Sequence, residues 1–209
     1  MYSLQRTFRY SYHNAVLYLV GINVLVFALQ NVSPMLTYYL ALIPGAILSG
    51  WMWQFVTYMF THGGVTHILF NMLALFIFGT QVERQIGTKE FLAYYFATGI
   101  LAGVFSFAVY FFTGTNVILL GASGAVFAVQ LAYAALFPRS IMYVWGILPL
   151  RAPVMVLGFT ALEVVLSITG SQGDVAHLTH LAGFGFGWLY FLIRFGRNPW
   201  TMFKNDAYR

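Results

Sequence analysis

The chain has 209 residues, of which 60% are hydrophobic and only 7% are charged, whereas about a quarter of an ordinary soluble domain is charged; this predicts an integral membrane protein in a lipid bilayer. Its formal net charge is +5, but the Lys and Arg residues are scattered singly and form no continuous patch, which excludes a nucleic-acid partner. Cysteine is absent, which excludes disulfides, thiolate metal sites and thiol nucleophiles.

Apolar runs long enough to cross a bilayer, about 18 to 25 residues, recur six times along the chain. No polar, Pro-rich or Ser-rich stretch is long enough to link two domains, so residues 1–209 are expected to form one domain. The predicted fold class is therefore an all-α integral membrane bundle. Its six predicted spans lie near residues 13–31, 65–83, 91–112, 118–137, 152–170 and 175–195.

The basic residues predict the orientation of these spans. All ten Lys and Arg residues fall on one side, because the connections 32–64, 113–117 and 171–174 carry none. By the positive-inside rule, both termini are expected in the cytoplasm, in a multi-pass protein of a cell or inner membrane. A basic start before an apolar run is also typical of a signal peptide, but no small-residue cleavage site follows Leu29, so an uncleaved first helix is expected.

The first outer connection is unusually long, at 33 residues between the first two spans. It contains the apolar segments "LALIPG" and "WMWQFV", so we expect it to lie partly in the membrane interface rather than in water. Tryptophans typical of membrane interfaces are expected on both sides, Trp51 and Trp53 outside and Trp145 and Trp200 inside.

Four polar side chains are predicted to share one layer near the outer surface. Ser123 lies about five residues into the fourth span, roughly 7 to 8 Å deep at 1.5 Å per residue, and His180 reaches a similar depth in the sixth span. His67 and Asn71 stand one helical turn apart on one face of the second span. These positions predict a polar site buried in an apolar bundle.

Small residues predict that two of the helices touch closely at this layer. Gly124, Ala128 and Ala132 form a small stripe on the fourth span, and Gly183 and Gly187 form a GxxxG stripe on the sixth. Close contact would bring a serine hydroxyl within reach of an imidazole that can take its proton. The spacing therefore favours a serine nucleophile, Ser123, with His180 as its base. The stretch differs from the G-x-S-x-G turn of soluble hydrolases, because Ala125 replaces the last glycine.

Other interpretations of the neighbouring polar residues stay open on the sequence alone. His177, one turn before His180, is the rival base, although it is expected nearer the surface. A His177–His180 metal pair has suitable spacing, but no carboxylate or third ligand is expected to join it, so no metal site is predicted. Glu163 lies in the middle of the fifth span, and its depth is expected to be wrong for a contact with His180.

Three ordered motifs make the chain resemble the rhomboid family of intramembrane serine proteases: "HILFN" leading to "GTQVERQIG", then "GASGA", then "HLTHLAGFGFG". The resemblance implies a six-helix bundle that cleaves transmembrane segments of other membrane proteins without metal or cofactor. It implies Ser123 as nucleophile and His180 as general base and acid. It also implies an oxyanion hole formed by His67, Asn71 and the Ser123 backbone N–H.

Two positions differ from the family pattern. The Trp-Arg pair of the family's outer loop stands here as Trp53-Gln54, so an arginine does not anchor this loop. Phe127 takes the place of a frequent tyrosine and is expected to stack on His180 without offering a hydroxyl.

Two competing functions belong to other classes. A catalytically inactive relative could bind membrane clients, but the intact Ser123 and His180 argue against it. A transporter would relay ions through intramembrane His and Asn residues. It would carry polar residues across the full membrane depth, whereas here they gather in the outer third.

The charge pattern gives a testable topology. Tags on either terminus should be accessible from the cytoplasm, because the basic connections are retained there. The chain has no cysteine, so a single Asp174→Cys change provides a unique thiol, which should react with a membrane-impermeant reagent from outside. Termini that face outward would contradict the orientation.

Overall fold

The structure, a computed structural model, describes residues 7–115, 117–144, 146–169 and 174–204, with the backbone alone for residues 174–176, and this part is mostly helical. A 3-10 turn follows α4 at Tyr58–Phe60, a π-helical turn at Leu75–Gly79 joins α5 to α6, and another at Phe191–Phe195 extends α10. The α-helices of these residues are α1 Ala15–Val32, α2 Pro34–Leu40, α3 Pro44–Leu48, α4 Gln54–Thr57, α5 Val65–Ala74, α6 Thr80–Ile86, α7 Thr88–Thr113, α8 Ser123–Leu136, α9 Ala152–Ile168, α10 Asp174–Tyr190 and α11 Pro199–Lys204.

Within the part of the chain that the structure describes, three helices are long and apolar enough to cross a membrane: Ala15–Val32, Val65–Ile86 and Thr88–Thr113. The shorter α8 and α9 are apolar as well. Each predicted span coincides with one of the larger helices within a few residues, except at the start of the fourth span. Trp145, predicted on the inner side, lies outside the described residues.

The expectation of an all-α fold is wrong between α8 and α9, where the chain forms a β-hairpin. Strand β1, Ile141–Val144, pairs antiparallel with β2, Leu148–Arg151. The residues of β1 alternate between exposed and half-buried, the two-residue period of a strand. Gly146 lies in the turn with φ +70°, a conformation that glycine adopts without strain.

The fourth predicted span also begins later than expected, at Ser123 rather than near residue 118. Leu119 is extended and exchanges two backbone hydrogen bonds of 2.9 Å with Leu42. Gly121 follows at φ +120°, which an α-helix cannot contain. The 14 residues of α8 extend only about 21 Å, against roughly 30 Å of bilayer hydrocarbon. The helix is therefore shorter than the hydrocarbon layer is thick, and Ser123 is its first residue.

Helix α8 forms the centre of the bundle, and α10 packs directly against it. A Cβ built on Gly183 would come within 1.9 Å of the Gly124 carbonyl oxygen. A Cβ on Gly187 would lie 3.1 Å from the Cβ of Ala128. The predicted small-residue contact between these helices is confirmed, and it leaves no room for a side chain at Gly183.

The opposite end of the bundle is held by a buried glutamate. The Glu83 carboxylate accepts hydrogen bonds from the backbone N–H groups of Ala15 and Val16, at 2.8 and 3.0 Å, and from the Thr88 hydroxyl, at 2.6 Å. The first N–H groups of a helix lack partners within it, and a negative charge is favourable there. Glu83 thus caps α1 and ties it to the start of α7.

The long loop between α1 and α5 is anchored by Gln54 instead of an arginine. Its buried amide accepts a hydrogen bond from the Ile43 N–H at 3.0 Å and donates to the Tyr38 and Tyr39 carbonyls at 3.1 and 3.3 Å. The Trp51 ring stacks on the Tyr39 ring, with centroids 5.3 Å apart. The glutamine thereby fixes the loop, which exposes apolar side chains at Met35, Tyr38, Tyr39, Leu48, Met52 and Trp53.

The contact between α8 and α10 predicts different effects for two nearby glycines. Gly183→Ala should lower the melting temperature, because the added methyl meets the Gly124 backbone; overpacking of this kind costs about 1–3 kcal/mol or more. Gly185→Ala is the matched control, since a Cβ there meets nothing within 4 Å. Thermal unfolding of the purified variants measures both. Equal melting temperatures would contradict the packing.

Candidate active site

A tight turn places Ser123 at the first residue of α8. Gly121 has φ +120°, which strains any residue with a side chain. A Cβ at Gly121 would also lie 2.8 Å from Cε1 and 2.9 Å from Nε2 of His67. Gly121 therefore allows both the backbone turn and the close approach of the His67 imidazole. The Gly121 N–H donates to the Tyr58 carbonyl at 3.0 Å, which holds the turn in place.

Ser123 and His180 are brought together by the packing of α10 on α8. Their Oγ and Nε2 atoms are 2.8 Å apart, a hydrogen-bond distance. The His180 ring stacks on Phe127 with centroids 4.6 Å apart and planes 7° apart, so the predicted stacking is confirmed. The preceding residue, Thr179, hydrogen-bonds Ser106 of α7 at 2.6 Å. The Phe127 ring and the hydrogen bond between α10 and α7 thus fix the position of the His180 imidazole.

The expectation that Glu163 lies at the wrong depth for His180 is wrong. Its Oε2 is 3.1 Å from His180 Nδ1 and 2.5 Å from His177 Nδ1. Glu163 lies five residues before the end of α9 at Ile168, and His180 six residues after the start of α10 at Asp174. At 1.5 Å per residue, these depths are about 7.5 and 9 Å. Counting from the helix ends that adjoin each other would have paired them.

The contact of Glu163 with His177 and His180 also bears on the metal site that the sequence did not predict for lack of a third ligand. The sequence offered no third ligand beside His177 and His180, but the ligand atoms of Glu163, His177 and His180 lie within 4.8 Å of one another. His177 Nδ1 contacts the glutamate, and the imidazole in contact with the Ser123 hydroxyl is that of His180.

His67 and Asn71 lie on α5, one turn apart, on the other side of the Gly121 turn. His67 Nδ1 is 3.4 Å from the Gly63 N–H, so it acts as an acceptor. In a neutral imidazole the proton then resides on Nε2, the atom that faces Gly121. The Asn71 amide donates one N–H to the His67 carbonyl at 2.9 Å, and an amide has a second N–H to offer.

His62 is a neighbour that the sequence did not single out. It is buried, and its ring meets the His67 ring edge-on with centroids 5.2 Å apart. Burial, and then the adjacent His67, lower the pKa of His62 to about 4. His62 is therefore neutral at physiological pH and places no positive charge beside His67. The sequence feature that could have indicated the contact between His62 and His67 is the Gly63-Gly64 pair, because two glycines let the loop turn back onto α5.

Taken together, these groups can perform acyl transfer. A hydroxyl in contact with an imidazole can act as a nucleophile, and donors beside it can stabilise a developing oxyanion. The Ser123 N–H belongs to the first turn of α8, where N–H groups lack partners within the helix.

Comparison with known proteins places this chain in a family. Residues 49–197 match the family model described as "Rhomboid domain". The "Putative rhomboid protease YdcA" of Bacillus subtilis is 28% identical over 138 residues, which cover 66% of this chain and 66% of that protein. The "Rhomboid protease GluP" of the same organism is 37% identical over 97 residues, 46% of this chain and 19% of the relative.

A third relative comes from another bacterium. The "Rhomboid protease AarA" of Providencia stuartii is 29% identical over 150 residues, 65% of this chain and 53% of that protein. The chain thus spans less than two thirds of the length of these relatives. The match to the domain model covers well over half of the residues of this chain. The chain therefore belongs to the rhomboid family.

Proposed function

We propose that this chain is an intramembrane serine protease that hydrolyses peptide bonds in or near transmembrane segments of other membrane proteins. The observation that carries the proposal is the 2.8 Å contact between Ser123 Oγ and His180 Nε2 at the half-buried start of α8. The names of the three relatives, all rhomboid proteases, support it.

In the proposed reaction, His180 Nε2 takes the proton of the Ser123 hydroxyl as Oγ attacks the substrate carbonyl. The imidazolium then gives that proton to the leaving amine, and a water activated by the same nitrogen hydrolyses the acyl-enzyme. Glu163 acts as a positioning residue, because a carboxylate beside Nδ1 favours the proton on Nδ1 and leaves Nε2 to accept from Ser123.

The oxyanion of the tetrahedral intermediate is assigned three donors. The Ser123 N–H lies at the positive end of the α8 dipole. His67 Nε2 faces the Gly121 turn, and the second N–H of Asn71 is the third donor. Donors fixed before the reaction in a water-poor site stabilise the transition state more than the substrate.

The substrate must present an extended segment to this site. A helix in lipid keeps its backbone hydrogen bonds internal, so its peptide carbonyl is shielded from Ser123 until the helix unwinds locally. Transmembrane segments with helix-breaking residues near the cleaved bond are therefore the favoured substrates.

We also propose that the enzyme crosses the bilayer six times with both termini in the cytoplasm of a cell or inner membrane. The spans are α1, the continuous helix Val65–Ile86, α7, α8, α9 and α10 with its π-helical turn. The placement of the basic connections supports this orientation, which puts Ser123 in the outer leaflet.

The first test of this function is Ser123→Ala, assayed on a model transmembrane substrate in detergent or proteoliposomes. Cleavage should fall to background, because an alanine provides no nucleophile. The melting temperature should change little, since the hydroxyl's partner is a half-buried imidazole. Retained turnover by the purified variant would contradict the serine mechanism.

The oxyanion assignment predicts that His67→Ala and Asn71→Ala each lower the cleavage rate by about ten- to a hundredfold. Loss of one donor commonly costs about 10²- to 10³-fold, and two donors would remain here. The change should appear in kcat rather than in KM, because the donors act on the transition state. Initial rates at varied substrate concentration measure it.

Asn23→Ala is the matched control for Asn71→Ala. Asn23 is a buried asparagine of α1 whose amide also donates to a carbonyl four residues earlier, Leu19, at 2.8 Å. Its loss should leave the rate per folded molecule unchanged. If Asn71→Ala behaves like Asn23→Ala, Asn71 has only a structural role.

A further inference from the structure

Glu163, His177 and His180 form a cluster that the proposed hydrolysis uses only in part. Each residue offers one ligand atom, a carboxylate oxygen or an imidazole nitrogen, and these three atoms all lie within 4.8 Å of one another. The two histidines stand three residues apart on one face of α10, and the glutamate projects from α9. The cluster therefore joins two packed helices rather than a mobile loop.

This set of atoms suits zinc. Two histidines and one glutamate are a recognised set for a zinc ion that keeps one position open. Ligand bonds of 2.0–2.2 Å place the ligand atoms of a tetrahedral site about 3.3–3.6 Å apart. The Glu163 oxygen is 2.5 Å from one nitrogen and 3.1 Å from the other, so displacements of about 1 Å or less would admit the ion.

Two further observations point to a ligand at this place. Nδ1 of His180 is buried and makes no hydrogen bond, although a carboxylate oxygen of Glu163 lies 3.1 Å away. A buried polar atom without a partner is uncommon, and metal ligation would satisfy it. The three side chains nevertheless keep 14–18% of their surface exposed, which provides a route for a small ion.

We propose that Glu163, His177 and His180 form a Zn²⁺-binding site and that zinc bound there inhibits the protease. Binding breaks the hydrogen bond between Glu163 and His177, and each neutral imidazole that ligates zinc through Nδ1 keeps its single proton on Nε2. The inhibitory half rests on the function proposed above; the binding half does not.

The expected inhibition depends on the two nitrogens of His180, because a ligand bound to Nδ1 determines whether Nε2 carries a proton. A neutral imidazole that ligates a metal through Nδ1 carries its remaining proton on Nε2. Nε2 is the atom 2.8 Å from Ser123 Oγ, so it would become a donor and could no longer take the serine proton. Without zinc, Glu163 would orient His180 as the base. With zinc, Glu163 would help to hold the ion that makes His180 inactive.

Direct binding is measured first, on the full chain purified in detergent and stripped with a chelator. Zinc chloride titrated by calorimetry, with bound zinc determined by elemental analysis, should give about one ion per chain. Glu163→Gln and His177→Gln should each weaken binding at least about a hundredfold, since loss of even an outer-shell partner costs 10- to 100-fold. His13→Gln is the control, because His13 is exposed and distant in sequence from the cluster. Undiminished binding by both cluster variants would overturn the site.

Cleavage is measured second, with each protein compared with its own zinc-free rate. The wild-type rate should fall more than tenfold at saturating zinc and recover with excess chelator, whereas His177→Gln should lose little of its rate at the same concentration. Stoichiometric binding without inhibition would overturn the inhibitory half. A chain that binds zinc through these residues but cleaves nothing would refute the protease and leave the metal site standing.

Discussion

The backbone contact between α8 and α10 is the constraint on which the rest of the site depends. Gly183 lies so close to Gly124 that even a methyl group would overlap the carbonyl. In lipid there is little hydrophobic gain from joining two apolar helices, so close packing of small residues provides much of the attraction. One turn before Gly183, this packing brings His180 against Ser123.

The second constraint is the shortness of α8. An extended strand-like segment, fixed by Leu42 and Tyr58, occupies the depth where a full-length helix would continue. The helix therefore offers its N-terminus, with unpaired N–H groups, inside the bundle instead of at the surface. Ser123 at this position lies beside both the His180 imidazole and the first N–H groups of the helix.

The sequence predicted the helices and the pair Ser123 and His180 because their signals are local. Apolar run length marks a helix in lipid, and the small stripes mark the contact between α8 and α10. Hydropathy could not separate the non-helical residues 118–122 from a helix, since both are apolar. The β-hairpin was missed for a similar reason, because its strands have only four residues each.

The interactions of Glu163 and Gln54 depended on partners distant in sequence. Glu163 could have been paired with His180 by counting residues from the adjoining helix ends. Nothing local, in contrast, marks Gln54 as the residue whose side chain bonds to Ile43 and to the end of α2. The carboxylate changes the chemistry of the site most, because it places a charge beside both histidines of α10.

Covalent labelling of Ser123 by a fluorophosphonate tests the central claim most directly, because the probe reacts with a serine hydroxyl only when a base activates it. Mass spectrometry of the labelled wild-type protein should locate the adduct on Ser123, and labelling should be lost in His180→Ala of equal melting temperature. An unlabelled Ser123 in the folded wild-type chain, or labelling that is unchanged by His180→Ala, would contradict activation of Ser123 by His180.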